Sequence, residues 1–139
     1  MPIQSTGSKG IKGTINLKRK YVDGLLDLDK FSHIILVYYF HKSKGFNLQV
    51  IPFLDDKLHG LFATRAPKRP NAIGISVVKL LSIRDNILEI ENVDMLDGTP
   101  LLDIKPYISQ FDIHEIEKSG WINHKTGYPN EVKSDDRFN

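Results

Sequence analysis

Between Arg65 and Ile75 the chain reads RAPKRPNAIGI, eleven residues that hold three cations, two prolines and one glycine. Arg65 and Arg69 each carry a planar fork of donors that suits a phosphate or a carboxylate. Asn71 offers donor and acceptor on one amide, which is what reading the edge of a base or a ribose requires. Pro67 and Pro70 fix φ, so the segment has little conformational entropy left to lose when a ligand arrives. Residues that precede a proline are pushed to extended geometry. Gly74 lets another group approach the backbone closely. A mere connection does not need three preorganised polar forks within seven residues. The plainer alternative, a stiff surface loop whose charges only solvate it, stays open at this level.

A second constellation lies in VDMLDGTPLLDIKPY, Val93 to Tyr107, where Asp94, Asp97, Asp103 and Lys105 surround a turn and the strand after it. The turn explains Asp97 to Pro100 by itself: Asp opens it, Gly98 takes a positive φ, and Pro100 precedes the next strand. It does not explain Asp103 and Lys105, which share one face of a strand by its two-residue period. A carboxylate among barrel strands is costly unless paired. Pairing with Arg65, Arg69 or Lys105 competes with a ligand contact as its explanation. His41 ends the most apolar strand, where a lone histidine is ordinarily structural. The chain has no His-x-x-x-His or comparable zinc spacing, so no metal is expected. With no GxGxxG ahead of a helix and no phosphate-binding P-loop, a nucleotide cofactor would not bind in the Rossmann manner.

The elements that must position these groups read mainly as strands. KGTINL (12–17), SHIILVYYF (32–40), FNLQVIPF (46–53), IGISVVKLLSI (73–83), ILEIENVDML (87–96) and PLLDIKPY (100–107) are β-branched, aromatic or alternating. RDN between the fourth and fifth reads as a hairpin turn. Helical signals are short: one or two turns in YVDGLLDLDKF (21–31), and a helix over DIHEIEKSG (112–120) closing at Gly120. Six strands with short connections predict a mainly β (α+β) fold, a small barrel or strongly curved sheet.

With 139 residues the chain suffices for one domain with a core. It has no cysteine, which excludes disulfides, thiolate metal sites and a cysteine nucleophile. No membrane-length apolar run and no apolar leader core occur, so the expected location is cytoplasmic. The net charge of +2 conceals segregation. Residues 1–20 carry five Lys/Arg and no acid, and residues 61–80 carry four and no acid. Residues 81–117 carry nine acids against Arg84 and Lys105. Basic segments that converge could meet a polyanion such as nucleic acid; a solvated surface of mixed charge is the blander alternative.

Taken together, GLLDLDKFSHIILVYYFH, GLFATRAPKRPNAIGISVVKL and VDMLDGTPLLDIKPY resemble the TsaA-like proteins, over roughly Met1 to Tyr107 in one collinear order. These are single-sheeted β-barrel methyltransferases that use S-adenosylmethionine, and their best understood members, the TrmO enzymes, methylate N6 of threonylcarbamoyl-adenosine beside the tRNA anticodon. The tail GWI…SDDRF is similar to that of short members. Ala72 stands where the family usually has proline and Ala66 where it has serine. The family's first strand, of IGxI type, has no counterpart ahead of Pro2, so a single barrel domain over 1–139 lacking that strand is expected. The resemblance implies cofactor contacts at Pro2, Ile3, Gln4, His41, Lys42, Arg65, Ile75, Val93 and Asp94. It implies substrate contacts at Arg69 and Asn71, and catalytic candidates at Asp97, Lys105 and Tyr107. tRNA is the implied partner, and a homodimer is expected because pairing subunits often completes such small sites. Two rivals remain: a nonenzymatic RNA-binding barrel, and a methyltransferase acting on another RNA or a small molecule.

Overall fold

The computed structural model describes residues 10–124. Five strands form one antiparallel sheet: β1 (Lys12–Asn16), β2 (His33–Tyr39), β5 (Ile73–Arg84), β6 (Ile87–Glu91) and β7 (Leu101–Pro106), in the order β1-β6-β5-β2-β7. A separate two-stranded ladder joins β3 (Gln49–Val50) to β4 (His59–Gly60). One helical turn, α1 (Ser109–Asp112), follows β7, and 3-10 turns occupy Arg19–Leu25, Leu28–Lys30, Leu61–Ala63 and Gly120–His124.

Alternation decides the faces. Ile34, Leu36 and Tyr38 of β2 point inward with Val78 and Leu80 of β5 and Leu88 and Ile90 of β6, and Leu28 packs against them. The opposite face carries Ile35, Val37 and Tyr39, laddered to Val77, Ile75 and Ile73. Extra residues at the bulges near Leu81 and Leu102 bend β5 and β7. The RDN hairpin forms as read, with Asp85 in the left-handed region at φ 56°. Arg19 donates to the Asp85 carboxylate at 2.6 Å.

Three expectations are corrected. The sheet is not closed into a barrel: among the described residues β1 and β7 remain its two edges. Closure needs a further wall strand and the stagger that goes with it. FNLQVIPF does not supply one, because only Gln49 and Val50 enter a ladder, and Pro52, which has no N–H to donate, ends it. The helix expected over 112–120 is absent. Helix α1 precedes it and stops as Ile113 turns extended (φ −98°, ψ 121°). Ile113 and Ile116 are 65% and 68% exposed, so no packed apolar stripe supports a longer helix. The 21–31 segment does form its short turns, broken where Asp27 takes φ 70°.

Candidate functional site

Antiparallel pairing gathers four chain segments at one end of the sheet. β2 finishes there at Tyr39, beside the first residue of β5, Ile73. Leu101, the first residue of β7, lies opposite Tyr38, and Tyr39 N–H donates to Pro100 O at 3.0 Å. The segment leaving β6 returns along β5 and brings Asp94 to Ser76. Thus His41 and Lys42, in the turn after β2, the proline-braced loop, Asp94 and the DGTP turn share one neighbourhood. Between the segment that follows β2 and the loop lies a cleft of about 500 Å³, lined by Tyr39, Ser43, Gly45, Phe46, Arg69, Pro70, Asn71, Ala72, Ile73 and Leu102.

Several internal bonds brace the loop. Buried Thr64 donates its hydroxyl to Leu61 O at 2.7 Å and accepts Ala66 N–H at 3.3 Å. Arg69 Nη1 donates to Thr64 O at 2.9 Å and to Ala66 O at 3.1 Å, and its guanidinium sits 5.8 Å from the Phe62 ring centre. Phe40 N–H donates to Ala72 O at 2.7 Å, tying the loop's end to β2. From the C-terminal side, Trp121 donates its indole N–H to Ala63 O at 2.8 Å and stacks on His59 at 5.0 Å. His59 Nε2 lies 2.6 Å from Asp55 Oδ2. Arg65 is exposed, with no hydrogen-bond partner among the described residues.

On the inner face, Tyr38 Oη lies 2.8 Å from Ser76 Oγ, and Ser76 Oγ donates to Asp94 Oδ1 at 2.8 Å. Tyr38 and Ser76 are buried. Burial, assisted by the nearby Asp94 charge, pushes the Tyr38 phenol up to about 12. Burial also raises the Asp94 carboxyl above its ordinary value, and the Ser76 hydrogen bond offsets part of that. Val93 sits over Gly13, where a Cβ would come within 2.9 Å of Val93 Cγ2.

The remaining sequence candidates fall elsewhere. Ile75 is on the outer face, laddered to Val37, which has Asp103 as its other neighbour. Asp103 pairs with Lys105 at 2.8 Å, so their shared face holds as read. The Lys105 hydrogen bond keeps the Asp103 carboxyl below the usual carboxylate range. Asp97 is exposed in the DGTP turn, where Gly98 takes φ 77°. Tyr107 closes the far end of β7, its N–H donating to His33 O at 3.1 Å. At about 3.3 Å per strand residue it lies roughly 20 Å from that turn. Pro2, Ile3 and Gln4 lie outside the described residues. Sequence reasoning missed Tyr38, Ser76 and Thr64. The available signal was Ser76 as the one hydroxyl within the apolar run ISVV, but its partners require the β2–β5 register.

Residues 1–113 match the family model described as the tRNA-methyltransferase O N-terminal domain. A probable S-adenosyl-L-methionine-binding protein of Pyrococcus abyssi is 49% identical over 138 residues, 99% of this chain and 75% of that protein. The tRNA (adenine(37)-N6)-methyltransferase of Mus musculus is 43% identical over 91 residues, which is 63% of this chain and 21% of that protein. The crystal structure of TrmO from Pseudomonas aeruginosa superposes with a TM-score of 0.70 at 35% identity, over 86% of this chain and 53% of that one. The chain therefore spans three quarters of the first relative, but about a fifth of the second and half of the third.

Proposed function

The chain belongs to the tRNA-methyltransferase O N-terminal domain family, and from this we propose that it is an S-adenosylmethionine-dependent methyltransferase acting on tRNA. The acceptor in this reading is N6 of threonylcarbamoyl-adenosine beside the anticodon, and the location is cytoplasmic. The observation that carries the proposal is the convergence of the His41–Lys42 turn, the Arg65–Ile75 loop and Asp94 at one end of the sheet.

The donor set suits the cofactor. Asp94 can accept from hydroxyl or amine groups of a nucleoside, and the Arg65 fork, without a partner among the described residues, can meet a carboxylate. His41, Lys42, Val93 and Ile75 complete the proposed contacts, with Pro2, Ile3 and Gln4 from the N-terminal segment. When bound, S-adenosylmethionine supplies a methyl group already activated on a sulfonium, so the protein's task is mainly orientation. The acceptor nitrogen must shed a proton. Asp103 is engaged by Lys105 at 2.8 Å; this carboxylate, exposed Asp97, or solvent can take that proton. Lys105 supplies positive charge on the same strand.

Arg69 and Asn71 both line the cleft and meet the RNA in this reading, Arg69 through the donors it does not spend on the loop. A splayed-out base read on its edges is the usual mode for such chemistry. A second copy of the chain is included because pairing two subunits is a common way to complete such small sites. Tyr107, distant from Asp97 within one chain, enters the site only through such a homodimer. The test is methyl transfer from labelled S-adenosylmethionine to modified tRNA, with calorimetric titration of the cofactor alongside. Transfer dependent on the threonylcarbamoyl group is expected. Absence of cofactor binding would remove the enzyme reading and leave an RNA-binding domain.

A further inference from the structure

A buried tyrosine hydroxyl and a buried serine hydroxyl need a reason to stand in this core. Leu36, opposite Ser76 in the ladder, and Val78, two residues further along β5, are fully buried aliphatic residues, and the Phe40 ring meets Tyr38 edge to face. Phenylalanine and alanine would fill the same places with no polar group to satisfy, and burying a hydroxyl costs free energy unless it is bonded. The two hydroxyls satisfy each other at 2.8 Å, and the chain of bonds then leaves the core and ends on the Asp94 carboxylate, again at 2.8 Å. The backbone is shaped to permit this. Gly74 pairs with Tyr38 in the ladder, and a Cβ there would stand 2.6 Å from Tyr38 Cε2, so only glycine lets the ring lie flat enough for its hydroxyl to reach Ser76.

We infer that Tyr38 and Ser76 are positioning residues that fix the Asp94 carboxylate for the nucleoside of the bound cofactor. The inference rests on the reading above, in which Asp94 borders the cofactor, and adds the residues that hold it there. The direction of the relay follows from proton counting. Tyr38 keeps its proton throughout the neutral range, since its phenol is pushed up to about 12. It therefore donates to Ser76, whose single proton is left to donate to Asp94 Oδ1. Among the described residues no other side chain hydrogen-bonds Asp94; its own backbone N–H is the other group that bonds the carboxylate, and the lone pairs left over remain for a hydroxyl or amine donor. The ionisable group facing Asp94 is Tyr38, from β2.

The experiment is calorimetric titration with S-adenosylhomocysteine, from pH 4 to 8, on the full chain and on Ser76→Ala, Tyr38→Phe and the double variant. Ser76→Ala is expected to weaken binding about tenfold and Tyr38→Phe about threefold. The double variant should be no weaker than Ser76→Ala, because Tyr38 acts through Ser76. The acid limb of the affinity profile should also move to higher pH in Ser76→Ala, since the hydrogen bond that lowers the Asp94 carboxyl is gone; general loosening of the core would not move it. If the unaltered chain fails to bind at any pH, the cofactor reading fails and takes the inference with it. If the unaltered chain binds and both single variants bind within twofold with the same acid limb, the inference is overturned while the cofactor reading stands. Should Ser76→Ala not fold, Tyr38→Phe, which removes one oxygen from a ring that stays in place, decides on the same two readouts.

Discussion

Gly74 lies beneath the ring of Tyr38: a methyl group at position 74 would stand 2.6 Å from Tyr38 Cε2 and 2.7 Å from Phe40 Cζ. The two rings themselves meet edge to face, with centres 5.5 Å apart. No rotamer change at the far end of a flexible chain can relieve that overlap, because both rings are packed. Gly74→Ala should therefore cost about 1–3 kcal/mol of stability, the usual scale for overpacking. Urea unfolding gives the number, and a change within 0.5 kcal/mol would mean that the rings move aside freely.

The acid and alkaline limbs of stability should carry the signatures of Asp94 and Tyr38. The Asp94 carboxyl is raised in the fold, so protonation favours the folded state; its contribution is present below 3.8 and lost as pH rises through the folded value. Asp94→Asn, which cannot ionise, should then stabilise the chain at pH 7, with the gain fading as pH falls towards 3.8. The Tyr38 phenol is raised too, so its contribution is complete below 10.0 and lost as pH rises towards about 12. Thermal melts across pH, and an ultraviolet phenol titration in which Tyr38→Phe removes the highest step, test both. A gain from Asp94→Asn that grows at low pH would refute the sign.

Much of this was legible in the sequence, and the parts that were not share a cause. The sheet strands, the DGTP turn and the Asp103–Lys105 face follow from local patterns: two-residue alternation, Asp and Gly in turn positions, opposite charges two residues apart. Barrel closure did not follow, because it depends on whether FNLQVIPF pairs along its length, and Pro52 settles that only in three dimensions. The helix over 112–120 failed because Ile113 and Ile116 have the spacing of a buried stripe but nothing to bury against. Arg69 was legible as a charged fork, yet not as the donor that holds Thr64 O and Ala66 O, since that requires the loop's curl. Ser76 looked like an ordinary strand residue until register put it between Tyr38 and Asp94.

Trp121 should matter to the loop although it lies far from it in sequence. Its indole bonds Ala63 O at 2.8 Å and its ring covers His59, which in turn meets Asp55. Trp121→Ala removes one hydrogen bond and one stacked pair, worth about 1–2 kcal/mol together. Amide exchange should quicken over residues 61–66 while β2 and β5 keep their protection. Equal exchange in the two proteins would mean that the tail is not a brace.

Arg65 and Arg69 sit four residues apart in one loop and should behave as opposites. Arg65 is exposed with no partner among the described residues, so Arg65→Ala should leave stability within 0.5 kcal/mol, the ordinary range for a surface change. If its fork meets the cofactor carboxylate, affinity should drop by more than ~1.5 kcal/mol, the scale of a charged hydrogen bond. Arg69 already donates to two loop carbonyls. Arg69→Ala should therefore cost stability as well, about 1 kcal/mol. On the RNA side, a phosphate contact by its remaining donors should contribute roughly one unit to the salt slope of tRNA binding. Arg69→Ala should flatten that slope while cofactor affinity stays within about threefold. Filter binding at several salt concentrations, with parallel cofactor titrations and unfolding curves, separates the two residues. A full salt slope in Arg69→Ala, together with lost cofactor binding, would place the loop's centre on the cofactor side and exchange the roles of the two arginines.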